Sequence, residues 1–308
     1  MCAEDSRIMA DRAIALLQAG NITEAIQLFE KALIASPQSA DARFNVALAY
    51  LHNRQFDDSI RVLSASKRLR AEDYALLGAS YRAKGSFDTA ATTMRRAVAM
   101  QPANSDFAYD LALTLIDAGK AAEAIRVLEA AAGKPEAKAK VFGALGMARY
   151  INGNLVKAEQ AYTKAIQMEP AAADFHASLG DVWFGAGDFR KAAVEYGAAT
   201  HLNPADPGYH NKAGRNLLRL DQITAAAAEF KSALSIDPRD ADSLFNLGKL
   251  AGAAGNTKEA VSLLERAVNS DPKNAHAHYQ LSLAYQRLGE QGKAAETMQR
   301  FRNLKNPK

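Results

Sequence analysis

Residues 173–206 read ADFHASLGDVWFGAGDFRKAAVEYGAATHLNPAD, and this stretch decides the fold. At its centre Gly185 and Gly187 resemble the start of a phosphate-cradling loop. A dinucleotide fingerprint would need a third glycine where Arg190 stands, and a strand in front, which the alanine-rich run does not offer. The spacing of small residues is the stronger signal. Counted from Ala173, positions 8, 20 and 27 are Gly180, Ala192 and Ala199, with Leu179, Trp183 and Tyr196 as large partners, and Pro204 closes the stretch at position 32. Pro170, Pro204, Pro238 and Pro272 follow one another at intervals of 34 residues. Small residues at fixed positions let two helices approach to roughly 8–10 Å, where a bulky side chain would hold them apart.

The same frame, moved along the chain, gives Gly78, Ala90 and Ala97; Ala112, Ala124 and Ala131; Gly146, Ala158 and Ala165; Gly214, Ala226 and Ala233; and Gly248, Ala260 and Ala267. These residues resemble the tetratricopeptide repeat family over nearly the whole chain. Nine repeats are framed, at about 6–39, 40–70, 71–104, 105–138, 139–172, 173–206, 207–240, 241–274 and 275–308, and are read as one solenoid domain over 1–308. The implied fold is all-α, a right-handed α-α superhelix of stacked helical hairpins with a concave groove. Gly187 then falls at position 15, with Gly20, Gly85, Gly119, Gly153, Gly255 and Gly289. Each sits in the turn between two helices, where glycine ends a helix in the left-handed conformation.

Composition agrees with a helical chain. Of 308 residues, 48% are hydrophobic and 23% charged; proline is scarce, and alanine and leucine outnumber β-branched and aromatic residues. The net charge of +4 is small and no long run of like charge occurs, which argues against a nucleic-acid arm. No apolar stretch approaches the roughly 20 residues of a membrane helix, so direct membrane insertion is not expected. The only cysteine, Cys2, precludes a disulfide framework. A cytoplasmic placement is expected, the alternative being an exported protein, periplasmic or lipid-anchored through Cys2 after signal removal.

Three departures from the frame stand out. The second repeat runs through SASKRLRAEDY into the third without a proline and is three residues short, so a different stacking is expected there. Gly133 and Pro135 should stop the second helix of the fourth repeat early. Arg12 replaces the apolar residue found at position 7 elsewhere, as suits an outer face, and no separate solvating helix follows the ninth hairpin.

The chemistry-bearing residues are few. His176, His210 and His278 all occupy position 4, and repeats one helix spacing apart cannot share an ion with ligands near 2 Å, so they are read as packing residues and no metal is expected. There is no HExxH, GxSxG or Walker loop, so neither catalysis nor a cofactor is expected. The sequon at Asn21 is read as turn and cap geometry.

The resemblance implies a groove lined by first-helix positions 2, 5, 6, 9, 12 and 13. The N-terminal part offers Asp41, Phe44, Asn45, Leu48, Glu72, Asp106, Tyr109, Asp110, Leu113 and Asp117, acidic with aromatic surfaces between; Phe44, Asn45, Tyr109 and Asp110 are the candidate secondary site. The C-terminal part offers Asn211, Lys212, Arg215, Arg219, Phe245, Asn246, Lys249, His276, Tyr279, Gln280 and Arg287, basic and amide-rich, and these are the candidate peptide-binding residues. Some relatives clamp a C-terminal carboxylate with Lys, Asn and Arg. Only Asn246 coincides with that clamp by identity, while Asn211, Arg215, His276 and Gln280 replace other members. The expected function is a non-catalytic scaffold that holds a protein or peptide segment, acidic or C-terminal, in the groove. The alternatives are a regulatory or substrate-recruiting arm of a larger enzyme and a self-assembling scaffold, so a homo-oligomer remains open.

Overall fold

The computed structural model describes residues 3–306, with side chains from Ser6 onward; Cys2 and the export reading tied to it lie outside the described residues. Eighteen helices and no strand occur among the described residues. They form two compact units, residues 1–168 and 169–308. The first holds α1 (Ala3–Gln18) and α2 (Ile22–Ala35), α3 (Ala40–His52) and α4 (Phe56–Ser64), α5 (Ala71–Ala83) and α6 (Phe87–Met100), α7 (Ser105–Asp117) and α8 (Ala121–Ala132), and α9 (Ala139–Ile151) and α10 (Leu155–Met168). The second holds α11 (Ala173–Gly185) and α12 (Phe189–Leu202), α13 (Pro207–Arg219) and α14 (Ile223–Ile236), α15 (Ala241–Ala253) and α16 (Thr257–Ser270), and α17 (Ala275–Leu288) and α18 (Gln291–Lys305). Within each unit, every helix packs against its hairpin partner, and the second helix of one hairpin packs on the first helix of the next.

The first helices begin where the frame places them. Ser39, Asn104, Asp206, Asp240 and Asn274, each one residue ahead of its repeat, accept a hydrogen bond from a backbone N–H in the first turn. Such caps satisfy donors that a helix start leaves unpaired. Asn21 precedes α2 in the same way, but its side chain makes no capping hydrogen bond, so the cap expected there is absent. Every hairpin turns at position 15 with a positive φ. Seven of the nine residues are the glycines named above, with φ from 73° to 84°, and the other two are Arg54 (61°) and Asp221 (59°).

The crossing of the two helices explains the small residues. At position 20, Ala25, Ala90, Ala124, Ala158, Ala192, Ala226 and Ala260 are fully buried, as is Ser59. At position 8, a Cβ added to Gly180 would lie 2.7 Å from Tyr196 Cδ1; at Gly214, 2.7 Å from Phe230 Cε1; at Gly146, 2.8 Å from Tyr162; and at Gly248, 2.6 Å from Leu264 Cγ. In each case the large residue stands at position 24 of the second helix and lies directly on the first-helix backbone. Position 7 supplies the layer between hairpins within each unit: Val46, Leu77, Leu111, Leu145, Leu247 and Leu281 are all buried, whereas Arg12 is exposed.

Polar ties repeat with the same frame. Position 11 of one repeat reaches position 25 of the repeat before it: Tyr50 donates to Glu30, Arg149 Nη2 lies 2.8 Å from Glu129 Oε1, and Tyr285 donates to Glu265 at 2.5 Å. Burial and the Glu30 carboxylate push the Tyr50 phenol up to about 12. His176 and His210 each pair Nδ1 with a glutamate at position 23, Glu195 at 2.8 Å and Glu229 at 2.7 Å. Their Nε2 atoms meet the carbonyls of Pro170 and Pro204 in the turn that enters the repeat, at 3.1 and 3.2 Å. His278 keeps the proline contact at 3.0 Å, but Thr297 replaces the glutamate and the buried Nδ1 has no partner among the described residues.

The departures also appear. Helix α4 has 9 residues and α8 has 12, against 14 in α2, α6, α10, α12, α14 and α16. At position 27, where seven of the repeats bury an alanine and the second carries Ser66, the ninth carries Phe301, whose ring lies 5.2 Å from that of Tyr279.

Two outcomes follow for stability. Gly214→Ala drives a methyl group into the Phe230 ring and should lower the urea-unfolding free energy by about 1–3 kcal/mol with little loss of helicity. Arg54→Gly removes a left-handed residue carrying a Cβ, and the relief of roughly 1–2 kcal/mol exceeds glycine's extra chain entropy; a gain of about 0.5–1 kcal/mol is expected in the same assay.

Candidate functional site

In the second unit, the candidate residues belong to α13, α15 and α17, the first helices of their hairpins, and α11 packs against α13 as α15 does against α17. Helix α13 is tied to α15 by Asn211, which is nearly buried: its Nδ2 lies 3.1 Å from both Asp240 Oδ1 and Ser243 Oγ. Asn246 is 9% exposed and donates to the Asp242 carbonyl of its own helix at 2.9 Å. In both residues the amide nitrogen is thus taken up within the fold. Lys212 is ion-paired to Asp181 of α11.

The remaining cations are presented differently. Arg215 and Arg219 are exposed, and among the described residues neither has a carboxylate within ion-pair reach. They rest on aromatic rings instead. Both guanidinium carbons lie 5.9 Å from the Phe184 centroid, and that of Arg219 is 4.5 Å from Phe189. Phe184 and Phe189 meet edge to face at 5.3 Å. Lys249 is likewise exposed, 5.5 Å from the ring of half-buried Phe245. A cation on a ring face is held by about 0.5–1 kcal/mol at an exposed site and keeps its N–H donors outward.

Between α15, α16 and α17 lies a cavity of about 210 Å³, with Lys249, Gln280 and Arg287 at its edge and Gly248, Gly252 and Leu264 among its apolar walls. Arg287 Nη1 donates to the Gly252 carbonyl at 2.8 Å, which fixes the guanidinium at the mouth. Three of the candidates therefore converge on one apolar recess. His276 and Tyr279 are exposed on the same helix, with Tyr279 held against Phe301.

In the first unit, the carboxylates that made this part look acidic are largely neutralised. Asp41 pairs with Arg70 at 2.6 Å, Asp117 with Arg82 at 2.6 Å, and Asp106 with Lys138 at 2.6 Å and Lys140 at 2.8 Å. Glu72 accepts from Gln101 at 2.8 Å. The aromatics are covered as well, Phe44 by Arg70 at 5.9 Å and Tyr109 by Lys140 at 4.6 Å. Asn45 is half-buried. Asp110 lines a cavity of about 390 Å³ with Arg82, Met94 and Asp117, and burial lifts its carboxyl above the usual range, with Lys140 pulling the other way and Asp106 adding to the rise.

Phe184 and Phe189, the platform under both arginines, are absent from the candidate set, and so is Asp181. Position 12 of the sixth repeat is where Phe184 stands, so the groove positions applied to that repeat would have found it.

Family models described as "Tetratricopeptide repeat" match residues 10–74 and 144–210 in one case, and 81–141, 217–278 and 252–304 in another. No curated protein sequence matches the chain. Among solved structures, one chain of the APC/C hetero-tetramer Cut9–Hcn1 is similar over 85% of this chain, with 16% identity and a TM-score of 0.61. This chain spans 52% of that relative, about half its length. The C-terminal part of a TPR repeat-containing protein from Cytophaga hutchinsonii is similar over 77% of this chain and 98% of its own, with 19% identity and a TM-score of 0.58. At these identities the likeness is one of fold. No helix among the described residues is long and apolar enough to cross a membrane.

The raised Asp110 carboxyl has a pH consequence. The native state holds this proton more tightly than the unfolded chain does, so the residue costs stability as pH rises from the ordinary Asp range through its native value. Asp110→Asn is expected to raise the melting temperature at pH 7, with the difference from wild type shrinking toward pH 3 when the two are compared by circular dichroism.

Proposed function

The chain belongs to the tetratricopeptide repeat family, and from that premise we propose a non-catalytic protein-interaction module whose second unit holds an acidic peptide segment on the face of α13, α15 and α17. Repeats of this family generally form protein–protein interaction scaffolds. The observation that supports the acidic ligand is the charge state of that face. Arg215, Arg219 and Lys249 are exposed, stacked on rings and without carboxylate partners among the described residues, while Asp41, Asp106 and Asp117 of the first unit are taken up by neighbouring cations.

A peptide carboxylate arriving at Arg215 and Arg219 displaces water and breaks no existing ion pair. The aromatic platform holds the guanidinium planes in place, which limits the entropy lost on binding. The recess beside Lys249 and Arg287 accommodates a small apolar side chain next to a second carboxylate, and a chain-terminal carboxylate fits the same pair. Charge-assisted hydrogen bonds contribute roughly 1.5–3 kcal/mol each, so two or three of them with one apolar contact give affinity near the micromolar range.

Lys212 is a poor probe, because its replacement would remove the ion pair of Asp181, a carboxylate that also accepts from the Tyr196 hydroxyl inside the stack. Arg215→Glu with Arg219→Glu reverses the free charges alone. This double variant is expected to keep the wild-type circular dichroism spectrum and to lose partners captured by the wild type from a lysate of the source cells, as identified by mass spectrometry. Capture of the same partners by both proteins would remove this face from the reading.

A further inference from the structure

The missing turn in the second repeat opens a second basic site. At position 27 the other repeats up to the eighth carry an alanine, and within the two units Ala32, Ala97, Ala199 and Ala233 are fully buried. In the second repeat α4 ends at Ser64, position 27 is Ser66 outside the helix, and α5 starts at Ala71. The last turn that would carry the covered alanine does not exist. In its place is a cavity of about 890 Å³ between the end of α2, the start of α3 and the α4–α5 connection.

The lining of this cavity is one-sided in charge. Arg43, Arg61, Lys67 and Arg68 border it, Leu33 and Val62 supply apolar wall, and no aspartate or glutamate is among the lining residues. Arg43 is anchored by donating to the Pro37 carbonyl at 2.7 Å, and Arg61 pairs with Asp58 at 2.7 Å. Lys67 and Arg68 are exposed, and among the described residues neither has a carboxylate partner. Their neighbour Arg70 is fully engaged with Asp41 and Asp73, so the charge of the connection is not neutralised locally.

We propose that this cavity is a docking site for an acidic segment of a partner protein that inserts one apolar side chain between α2 and α4, with flanking carboxylates on Lys67 and Arg68. The apolar wall favours a peptide over a simple anion, and the cavity lies in the range of roughly 300–1,000 Å³ typical of ligand sites. The uncompensated cations supply the complementarity that sets encounter rate and specificity. The site is independent of the α13–α17 face: it uses the ends of helices and a connection, and it exists because one repeat is short.

The test uses the full chain, labelled with ¹⁵N, and the blocked peptide Glu-Glu-Phe-Glu-Glu, with Gln-Gln-Phe-Gln-Gln as the uncharged control. Amide resonances of Val62, Ala65, Ser66 and Lys67 are expected to shift with the acidic peptide and not with the control. They should shift equally in the variant carrying Arg215→Glu and Arg219→Glu, which silences the other face. Lys67→Glu with Arg68→Glu, both on exposed side chains, is expected to weaken this response by about ten-fold or more, as loss of two charge-assisted contacts requires, with helicity unchanged. Equal shifts with the control peptide, an unaltered response in the Lys67/Arg68 variant, or shifts at these amides produced by oligodeoxythymidine and not by the peptide would overturn the proposal. Failure of the other face shows instead as an absent response at Lys212 to Arg219, so the two readings fail separately.

Discussion

A tyrosine ring lying on a glycine backbone is the contact on which the rest of this structure depends. Tyr196 stands close enough to Gly180 that a methyl group between them would sit 2.7 Å from the ring, and Phe230 on Gly214 and Tyr162 on Gly146 repeat the arrangement. The close crossing sets the separation of the two helices in a hairpin. It leaves position 20 room only for alanine or serine and brings position 7 into the layer between hairpins. A helix pair held apart by one more methylene would misalign each of these contacts at once, because interiors are packed too densely to absorb the error.

Regular geometry makes the exceptions informative. Position 15 turns with a positive φ in every repeat, including those that place Arg54 and Asp221 there, so the turn is imposed by the packing of the hairpin and not by glycine alone. Aspartate reaches this conformation more readily than arginine does, since a short polar side chain can bond locally. The shortened α4 shows the reverse case. There the sequence itself removes the element that packing would have required, and basic side chains border the space that results.

The small-residue frame made the helices, their pairing and their turns legible from the chain alone, because these depend on residues within one repeat. Surface chemistry was much less legible. The acidic reading of Asp41, Asp106 and Asp117 counted charges correctly, but their partners Arg70, Lys138 and Arg82 stand 29 to 35 residues away in sequence. Asn211 and Asn246 look like ligand-binding amides when placed on a helical wheel. Their hydrogen bonds to Asp240, Ser243 and the Asp242 carbonyl depend on the neighbouring repeat and on a rotamer, which spacing does not encode. The histidines were read as packing residues, yet their pairing with Glu195 and Glu229 was recoverable, since glutamate recurs 19 residues after the histidine in both repeats.

The physics of binding separates residues that stabilise the stack from residues free to act. An ion pair between exposed side chains contributes little to stability, about 0–1 kcal/mol, yet it cancels the charge a ligand would meet. Lys212 and Arg70 each carry a full positive charge and are already committed to Asp181 and to Asp41 with Asp73. Arg215 and Arg219 are held by the faces of Phe184 and Phe189, a contact that orients a guanidinium without neutralising it. Lys67 and Arg68 are neither paired nor stacked among the described residues, and they sit beside apolar wall. Partner recognition is therefore to be sought where cations are positioned by something other than an anion. In a chain with nearly balanced charge, that criterion discriminates more sharply than any count of lysines and arginines.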